Sequence, residues 1–328
     1  MSDFEAVIDV LRAQAGACAA MGAPFTGGLL ERAAVAMLAD DAFASAFRPW
    51  AERSRKEIWE QAVALRWLGS IHDGALAEPD SPLARAYPAP NRAGDLTAAW
   101  PLTTRHMRTN PDSVADFMRR EPQTNEVRRS AVLLPGFLAV AEATSLSLRI
   151  LELGASAGLS QLWDRRRYQL GPGMTWGPKT ASVSMDTEWR GAPPPLDATI
   201  EVVERAACDR NPIDLADPAQ RRRLRAYIWA DQLDRLARFD SAVAEALAQH
   251  IEVERSDAVD WTRAHAEPRA ASSPWCSTRY SSSTCRGRAK QRSSRRCMRL
   301  ERKPQPRGPL PGCAWSLRRR IRPSWSCN

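Results

Sequence analysis

The chain has 328 residues, with 47 lysines and arginines against 38 aspartates and glutamates and a formal net charge of +9. Residues 273–328 contain 15 of the basic residues and one acidic residue, so residues 1–272 carry a net charge of −5. Five of the seven cysteines also lie in residues 273–328, which excludes a disulfide framework for the rest of the chain.

Residues 1–145 are predicted to form a helical amino-terminal domain. Apolar residues recur there at spacings of three and four, for example Phe4, Val7 and Leu11, and segments rich in Pro and Gly separate the helical patterns. A further helix is predicted over residues 125–143. The first residues lack the basic and apolar pattern of a signal peptide, and no apolar run reaches the length of about 20 residues that spans a membrane. We therefore predict a cytoplasmic protein without membrane association.

Residues 146–269 are predicted to form a Rossmann-like parallel sheet. The strand pattern Leu148–Leu153 is followed by a turn of small residues, Gly154–Gly158, and by a helix over 159–168. A long loop or small subdomain, rich in Gly, Pro and Trp, is predicted over 171–197.

Two more strand patterns follow, separated by a predicted helix over 218–249. They cover residues 199–203, running towards Cys208, and residues 251–257. Strands joined by helical or long connections are typical of a parallel sheet. From about residue 270 onwards the mixture of Ser, Arg, Pro and Cys has no periodicity, so residues 270–328 are predicted to be a disordered basic tail. The predicted fold class is therefore α/β, with an incomplete Rossmann-like sheet.

The segment Glu152-x-Gly154-x-Ser156-x-Gly158 is the strongest functional signal in the sequence. Glycines after a strand let the backbone pass close to a ligand, and the N–H groups at the start of the next helix suit a nucleotide-like ligand. The pattern resembles the first motif of S-adenosylmethionine-dependent methyltransferases, with Ser156 in place of the usual middle glycine. This resemblance implies that Glu152, Gly154 and Gly158 line the methionine half of the cofactor, with Ser156 among the cofactor-binding residues.

The same resemblance implies two further cofactor contacts, which follow the second and third predicted strands. Asp209 would bind the ribose hydroxyls and Asp257 would contact the adenine. Asp209 lies much further from Glu152 than the roughly 20 residues that separate motif and acid in a compact nucleotide-binding unit. A subdomain inserted at 171–197 would explain the excess. The sequence assigns no general base and no methyl acceptor.

Other interpretations of the turn stay open. Gly-x-Ser-x-Gly is also the nucleophile elbow of serine hydrolases, in which Ser156 would attack an acyl carbon and the available histidines are His250 and His265. The turn can equally be structural, or it can belong to a non-catalytic nucleotide-binding module.

Four polar or aromatic residues outside the turn are candidates for the ligand crevice or for structural roles. Gln123 and Asn125 precede a helix and would either cap it or face the crevice. Trp229 and Asp231 would line a substrate site or belong to the core. No Cys-x-x-Cys or His-x-x-x-His pattern occurs, so we predict no metal site.

Several segments together resemble an uncharacterised bacterial family, domain of unknown function 2332. The segments span about residues 11–261, and the family pattern is lost after about residue 269. No settled activity of that family carries over to this chain, and its link to methyltransferases depends on the glycine turn alone. The segments that carry the resemblance are Leu11–Ala15, Gln123–Ala131, Leu151–Leu159, Cys208–Pro212, Trp229–Gln232 and Asp257–Trp261.

The genetic code offers a reason for the change of character near residue 270. Reading one base out of frame turns the junction of Trp275 and Cys276 into a valine codon and permits a strand-like continuation that resembles the family. We therefore interpret the tail as the product of a single-base deletion near codons 270–274, which would leave this chain unstable or inactive. A genuine Arg-rich arm, binding nucleic acid through phosphate contacts, is the alternative.

Overall fold

The computed structural model describes residues 4–267 and the backbone of residues 272–278. Its amino-terminal half is helical, as predicted, and residues 4–146 contain no strand beyond one isolated bridge between Ala89 and Arg92. The helices of this half are α1 (Glu5–Ala20), α2 (Pro24–Ala36), α3 (Asp41–Ala44), α4 (Arg55–Glu60), α5 (Val63–Ala77), α6 (Pro82–Ala86), α7 (Leu96–Thr109), α8 (Pro111–Arg119) and α9 (Ser130–Thr144), with 3-10 helices at Ser45–Trp50 and Val127–Arg129.

Local capping explains where several of these helices begin. Ser54 and Glu57 form a reciprocal capping box at the start of α4. The Asp95 carboxylate accepts hydrogen bonds from Thr97 N and Ala98 N, both at 3.0 Å, at the start of α7. The apolar faces of the helices form a cluster of buried side chains from Val7 to Met118, which Ala230 also joins.

A four-stranded parallel sheet follows the helical half. Its strands are β1 (Ser147–Leu153), β5 (Val202–Asp209), β6 (Glu254–Arg255) and β7 (Ser272–Thr278), and their order across the sheet is β6-β5-β1-β7. The buried side chains of Leu148 and Ile150 on β1 join the second apolar cluster, which extends from Val127 to Ala246. The remaining helices are α10 (Pro218–Ala226), α11 (Leu233–Ala248) and α12 (Ala258–His265).

A second, three-stranded sheet occupies part of the predicted loop or subdomain. It consists of β2 (Arg167–Gly171), β3 (Met174–Trp176) and β4 (Ser184–Asp186) in the order β3-β2-β4. Trp176 stacks on Trp163 at 5.8 Å between ring centroids, and Trp163 stacks on Phe137 of α9 at 4.1 Å. The aromatic residues of this Trp-rich segment therefore fix the small sheet to the core.

The structure corrects several predicted elements. The helix predicted over 159–168 is a 3-10 helix, Leu159–Arg165, which ends where β2 begins. The helix predicted over 218–249 is interrupted between α10 and α11, and the strand predicted over 251–257 is reduced to Glu254–Arg255. These differences arise because local helix and strand propensities are weak and tertiary contacts override them.

The prediction that packed structure ends near residue 270 was wrong for residues 272–278. This segment pairs in parallel with β1 from Ser147 to Leu153. Such pairing is possible for almost any sequence, because the unpaired edge of β1 supplies backbone N–H and C=O groups. The rest of the predicted tail lies outside the described residues, and so does the proposed nucleic-acid arm. The domain boundaries at residues 145 and 269 stay predictions.

Candidate functional site

The glycine turn lies directly after β1, at the carboxyl end of the main sheet. Gly154, Ser156 and Gly158 all have left-handed backbone conformations, with φ values of 68°, 56° and 69°. A Cβ atom on Gly158 would lie 2.8 Å from Ile251 Cγ2, so this position requires glycine for space as well as for conformation. The backbone of Ser156 is strained, because a residue with a Cβ atom rarely adopts a left-handed conformation.

The end of β5 holds the turn in place. Gly154 N and Ala155 N both donate to Cys208 O, at 2.9 and 3.1 Å, and Ser156 N donates to Asp209 Oδ2 at 2.8 Å. Because β1 and β5 are neighbouring parallel strands, Asp209 reaches the turn although it lies far from Glu152 in sequence. The structure therefore brings Asp209 to Ser156, two of the predicted cofactor residues.

The turn has few N–H groups left for a ligand. Those of Gly154, Ala155 and Ser156 are bonded to the end of β5, and Gly158 N donates to Ala155 O at 2.9 Å. Phosphate-binding turns depend on free N–H groups that point at the anion. This turn therefore differs from a phosphate-binding turn.

Glu152 lies on β1, two residues before the turn, and is buried, with an exposed fraction of 1%. Its negative charge acts on the buried guanidinium of Arg166, whose Nε lies 3.5 Å from Glu245 Oε2. Burial lowers the pKa of Arg166, and the negative charges of Glu245 and Glu152 oppose that shift. Burial also raises the pKa of Glu245. Glu152 therefore belongs to a buried charge cluster whose cation, Arg166, the sequence did not indicate.

Residues 120–126, which we call the strap, contact the turn and the loop after β5 through two side chains. Asn125 Nδ2 donates to Ala155 O at 3.3 Å, and Gln123 Nε2 donates to Asn211 O at 2.7 Å. Both residues were candidates for the crevice, and the structure places both against the ends of β1 and β5. Their side chains bind backbone carbonyls there, and neither is seen to cap a helix.

Three buried polar atoms at this site have no hydrogen-bond partner among the described residues. They are Asn125 Oδ1, Ser156 Oγ and Gln161 Nε2, on residues whose exposed fractions are 6%, 5% and 2%. An unsatisfied buried polar group costs about 1–3 kcal/mol, so groups of this kind in a folded protein call for an explanation.

The predicted adenine residue, Asp257, lies outside the turn but close to the end of β5. Asp257 is exposed and caps α12 by accepting a hydrogen bond from Val259 N at 2.8 Å. The adjacent Ser256 N donates to Asp209 O at 3.0 Å. The segment before α12 therefore lies beside Asp209.

Asp231 and Trp229 contact the helical half of the chain and not the glycine turn. The Asp231 carboxylate accepts hydrogen bonds from Phe25 N and Thr26 N, both at 2.9 Å, at the start of α2. Trp229 packs against the amino-terminal cluster. Both residues thus connect the 229–232 segment to the helical half.

The geometry does not supply a base for a hydrolase. Within the part of the chain that the structure describes, no histidine donates to or accepts from Ser156 Oγ. His265 stacks on Trp261 and lies 3.5 Å from Glu254, and His250 lines a cleft of about 410 Å³ beside the amino-terminal half of β5. The hydrolase alternative stays a prediction without a positioned base.

Comparison with known families identifies the chain. A family model described as "Uncharacterized protein conserved in bacteria (DUF2332)" matches residues 9–278, most of the sequence. The chain belongs to this family. The match extends into β7, beyond residue 269, where the family pattern was predicted to end. No curated protein and no solved structure matches the chain.

Neither a membrane span nor a metal cluster occurs in the described part of the chain. No helix there is both long and apolar enough to cross a membrane. Residues 4–267 also hold no group of three or more His, Cys, Asp or Glu side chains placed to bind a metal ion.

Proposed function

We propose that this DUF2332 protein binds S-adenosylmethionine at the glycine turn and that the intact protein transfers its methyl group to an acceptor that is still to be identified. The strand order supports a Rossmann-like site. Numbered along the chain, the strands of the main sheet follow the order 3-2-1-4, which is the order of the first four strands of a doubly wound sheet. Ligands of such sheets bind at the carboxyl ends of the strands, where the turn lies.

The observation that carries the proposal is the state of the N–H groups of the turn. Four of them are bonded within the protein, so the turn offers few backbone donors to an anion. A dinucleotide or a nucleoside triphosphate requires the opposite arrangement, with donors aimed at phosphate. S-adenosylmethionine carries a nucleoside and no phosphate, and it is cationic at both its sulfonium and its ammonium group.

The residues of the turn have separate roles under this proposal. Gly154 and Gly158 allow close approach of the backbone, and Glu152 contributes negative charge. Asp209 has one hydrogen bond from the backbone on each oxygen, which leaves acceptor capacity on both for ribose hydroxyls. Asp257 contacts the adenine.

When it is bound, the cofactor supplies an electrophilic methyl group. The protein's part is to hold the cofactor and the acceptor in line, which reduces the entropic part of the barrier.

Calorimetric titration tests the proposal. We would titrate S-adenosylmethionine, NAD⁺ and ATP into two proteins: the chain as it stands and a version with the reading frame restored near codons 270–274. We expect the restored protein to bind S-adenosylmethionine and neither phosphate-containing ligand. Binding of NAD⁺ or ATP in preference to S-adenosylmethionine, or no binding of any ligand to either protein, would contradict the proposal.

Resequencing across codons 265–280 is the companion experiment. A missing base there, together with binding only by the restored protein, would support both the frame interpretation and the cofactor site. An intact close relative that carries the same basic tail in frame would overturn the frame interpretation.

A further inference from the structure

We propose that the cleft beside β5 binds a short extended peptide, which carries basic side chains and pairs with the open edge of the main sheet. The cleft has a volume of about 410 Å³, within the range of ligand sites in proteins. Residues 202–205 and residues 249–252 line it. None of its described lining residues belongs to the Gly154–Gly158 turn, so this site is separate from the proposed cofactor site.

One edge of β5 is open along most of its length. On the side away from β1, β5 pairs with β6 only at Cys208 and Asp209. Residues 202–207 therefore have no neighbouring strand on that side within the part of the chain that the structure describes. An open edge presents unpaired N–H and C=O groups, and extended peptides bind such edges by adding a strand.

The hydrogen bonds at the end of β5 show which backbone groups face the cleft. Cys208 O accepts hydrogen bonds from the turn after β1, whereas Asp209 O accepts one from Ser256 N, which follows β6. Successive residues of a strand direct their N–H and C=O groups to opposite sides. Arg205, four residues before Asp209, therefore directs both groups away from β1, and it also lines the cleft. This residue offers a donor and an acceptor to a pairing peptide.

Apolar side chains on the cleft add a surface that a peptide would cover. Val203 is the extra residue of a bulge in the pairing of β1 with β5, and it is 54% exposed. It lines the cleft together with Val202 and Ile251. An apolar side chain on the bound peptide would remove part of this surface from water, which stabilises the complex.

The charges of the cleft favour basic side chains on the peptide. Arg205 Nη2 lies 2.6 Å from Asp164 Oδ2, and Glu204 belongs to an ion pair between β1 and β5. Glu252 is exposed, lines the cleft and has no ion-pair partner among the described residues. Its carboxylate is therefore available to attract lysine or arginine and to repel an acidic side chain.

Three capped pentapeptides test the proposal by calorimetry with the 328-residue chain. The first is acetyl-Val-Lys-Val-Lys-Val-amide. The second has glutamate in place of lysine, and the third is the first peptide methylated on every backbone nitrogen, which removes its N–H donors. We expect the first peptide to bind about tenfold or more tightly than either of the others. Failure of the first peptide to bind, or equal affinity of either of the others, would overturn the proposal.

Two substitutions at one position isolate the backbone contribution. Arg205→Ala removes the ion pair with Asp164 and keeps the N–H, whereas Arg205→Pro removes both. Proline is tolerated on an edge strand where the N–H faces away from the neighbouring strand. We expect the folded Arg205→Pro variant to bind the first peptide about tenfold or more weakly than Arg205→Ala. Equal affinities would overturn the proposal.

Hydrogen exchange gives the same test without a substitution, and it decides if Arg205→Pro does not fold. Saturating first peptide should slow exchange of the Arg205 amide in the unaltered chain by about tenfold or more, because the amide gains a hydrogen bond. Unchanged exchange at Arg205 would overturn the proposal.

A matched pair of substitutions tests the charge. Glu252→Gln should weaken binding of the first peptide by about two- to fivefold. Asp260→Asn removes a carboxylate that is 73% exposed on α12 and should leave the affinity unchanged. Equal losses in the two variants would show general attraction to an acidic surface and would overturn recognition by the cleft. The cofactor is absent from all these measurements, so their outcome is independent of S-adenosylmethionine binding.

Discussion

Asp209 holds the backbone of Ser156 through a carboxylate that also stabilises its own loop. Its Oδ2 accepts from Ser156 N and its Oδ1 accepts from Asn211 N, both at 2.8 Å. The residue predicted to bind ribose therefore also determines the shape of the turn, and substitutions at Asp209 will change stability as well as binding.

Asp209→Asn should destabilise the protein by about 1–2 kcal/mol, because the amide retains one acceptor and loses the charge that strengthens both hydrogen bonds. Urea unfolding monitored by tryptophan fluorescence measures this. Asp214→Asn is a suitable control, since Asp214 accepts one hydrogen bond, from Ala216 N, in an exposed loop. A loss of stability no greater than that of the control would show that Asp209 does not hold the turn.

Gly158→Ala should destabilise the protein by about 2 kcal/mol or more, because it adds strain at a left-handed position and overpacks the turn. The added Cβ would lie 2.8 Å from Ile251 Cγ2, at φ 69°. Gly22→Ala isolates the strain, because Gly22 has φ at 74° and a Cβ there would have no neighbouring atom within 4 Å. We expect Gly22→Ala to cost about 1 kcal/mol. Equal losses of unfolding free energy in the two variants would contradict close packing at Gly158.

Arg149 and Glu204 form a cross-strand ion pair between β1 and β5, with N–O distances of 2.8 and 3.0 Å. The Arg149 side chain is 1% exposed, and the pair raises its pKa. Glu204→Leu should destabilise the protein by about 3 kcal/mol, because the buried Arg149 charge loses its carboxylate and keeps only its hydrogen bonds to His265 O and Glu267 O. The double variant Arg149→Met with Glu204→Leu should lose less.

A double-mutant cycle measured by urea unfolding gives the coupling of this pair. Asp260→Ala is the control for an exposed ion pair. The side chains of Arg263 and Asp260 are 74% and 73% exposed, so breaking their ion pair should not measurably change the free energy of unfolding. A double variant less stable than Glu204→Leu alone would contradict the argument from the unpaired charge.

His72 makes stability depend on pH. Burial lowers the pKa of its imidazole to about 4, assisted by the positive charge of Arg225, while the ordinary value is 6.5. The unfolded state takes up the proton first as pH falls, so the free energy of unfolding decreases between pH 6.5 and 4. We expect a contribution of about 2 kcal/mol between pH 7 and pH 5.

His72→Asn tests this prediction. Its amide nitrogen can replace Nδ1, which lies 3.2 and 3.1 Å from Ala226 O and Ile228 O, and it does not titrate. The variant should lose less stability than the unaltered protein from pH 7 to 5, in paired urea unfolding curves. Burial lowers the pKa of His106 as well, so His106→Gln should also reduce the slope. An unchanged slope in His72→Asn would locate the pH dependence elsewhere.

The sequence by itself determined the class of each half of the chain. The spacing of apolar residues is a local property, so it predicted the helices before residue 145 and the strand that ends at Leu153. The small residues after that strand predicted a tight turn, because few other residues adopt left-handed backbone conformations.

Only the tertiary structure decided which distant residues meet. The pairing of β1 with β5 brings Asp209 to Ser156, and the strap brings Asn125 to Ala155. Asp231, by contrast, is bonded to the start of α2. The pairing of β1 with residues 272–278 was also hidden in the sequence, because backbone hydrogen bonds leave no side-chain pattern. Periodicity reports the environment of a residue along its own element, whereas a site is made by contacts between elements.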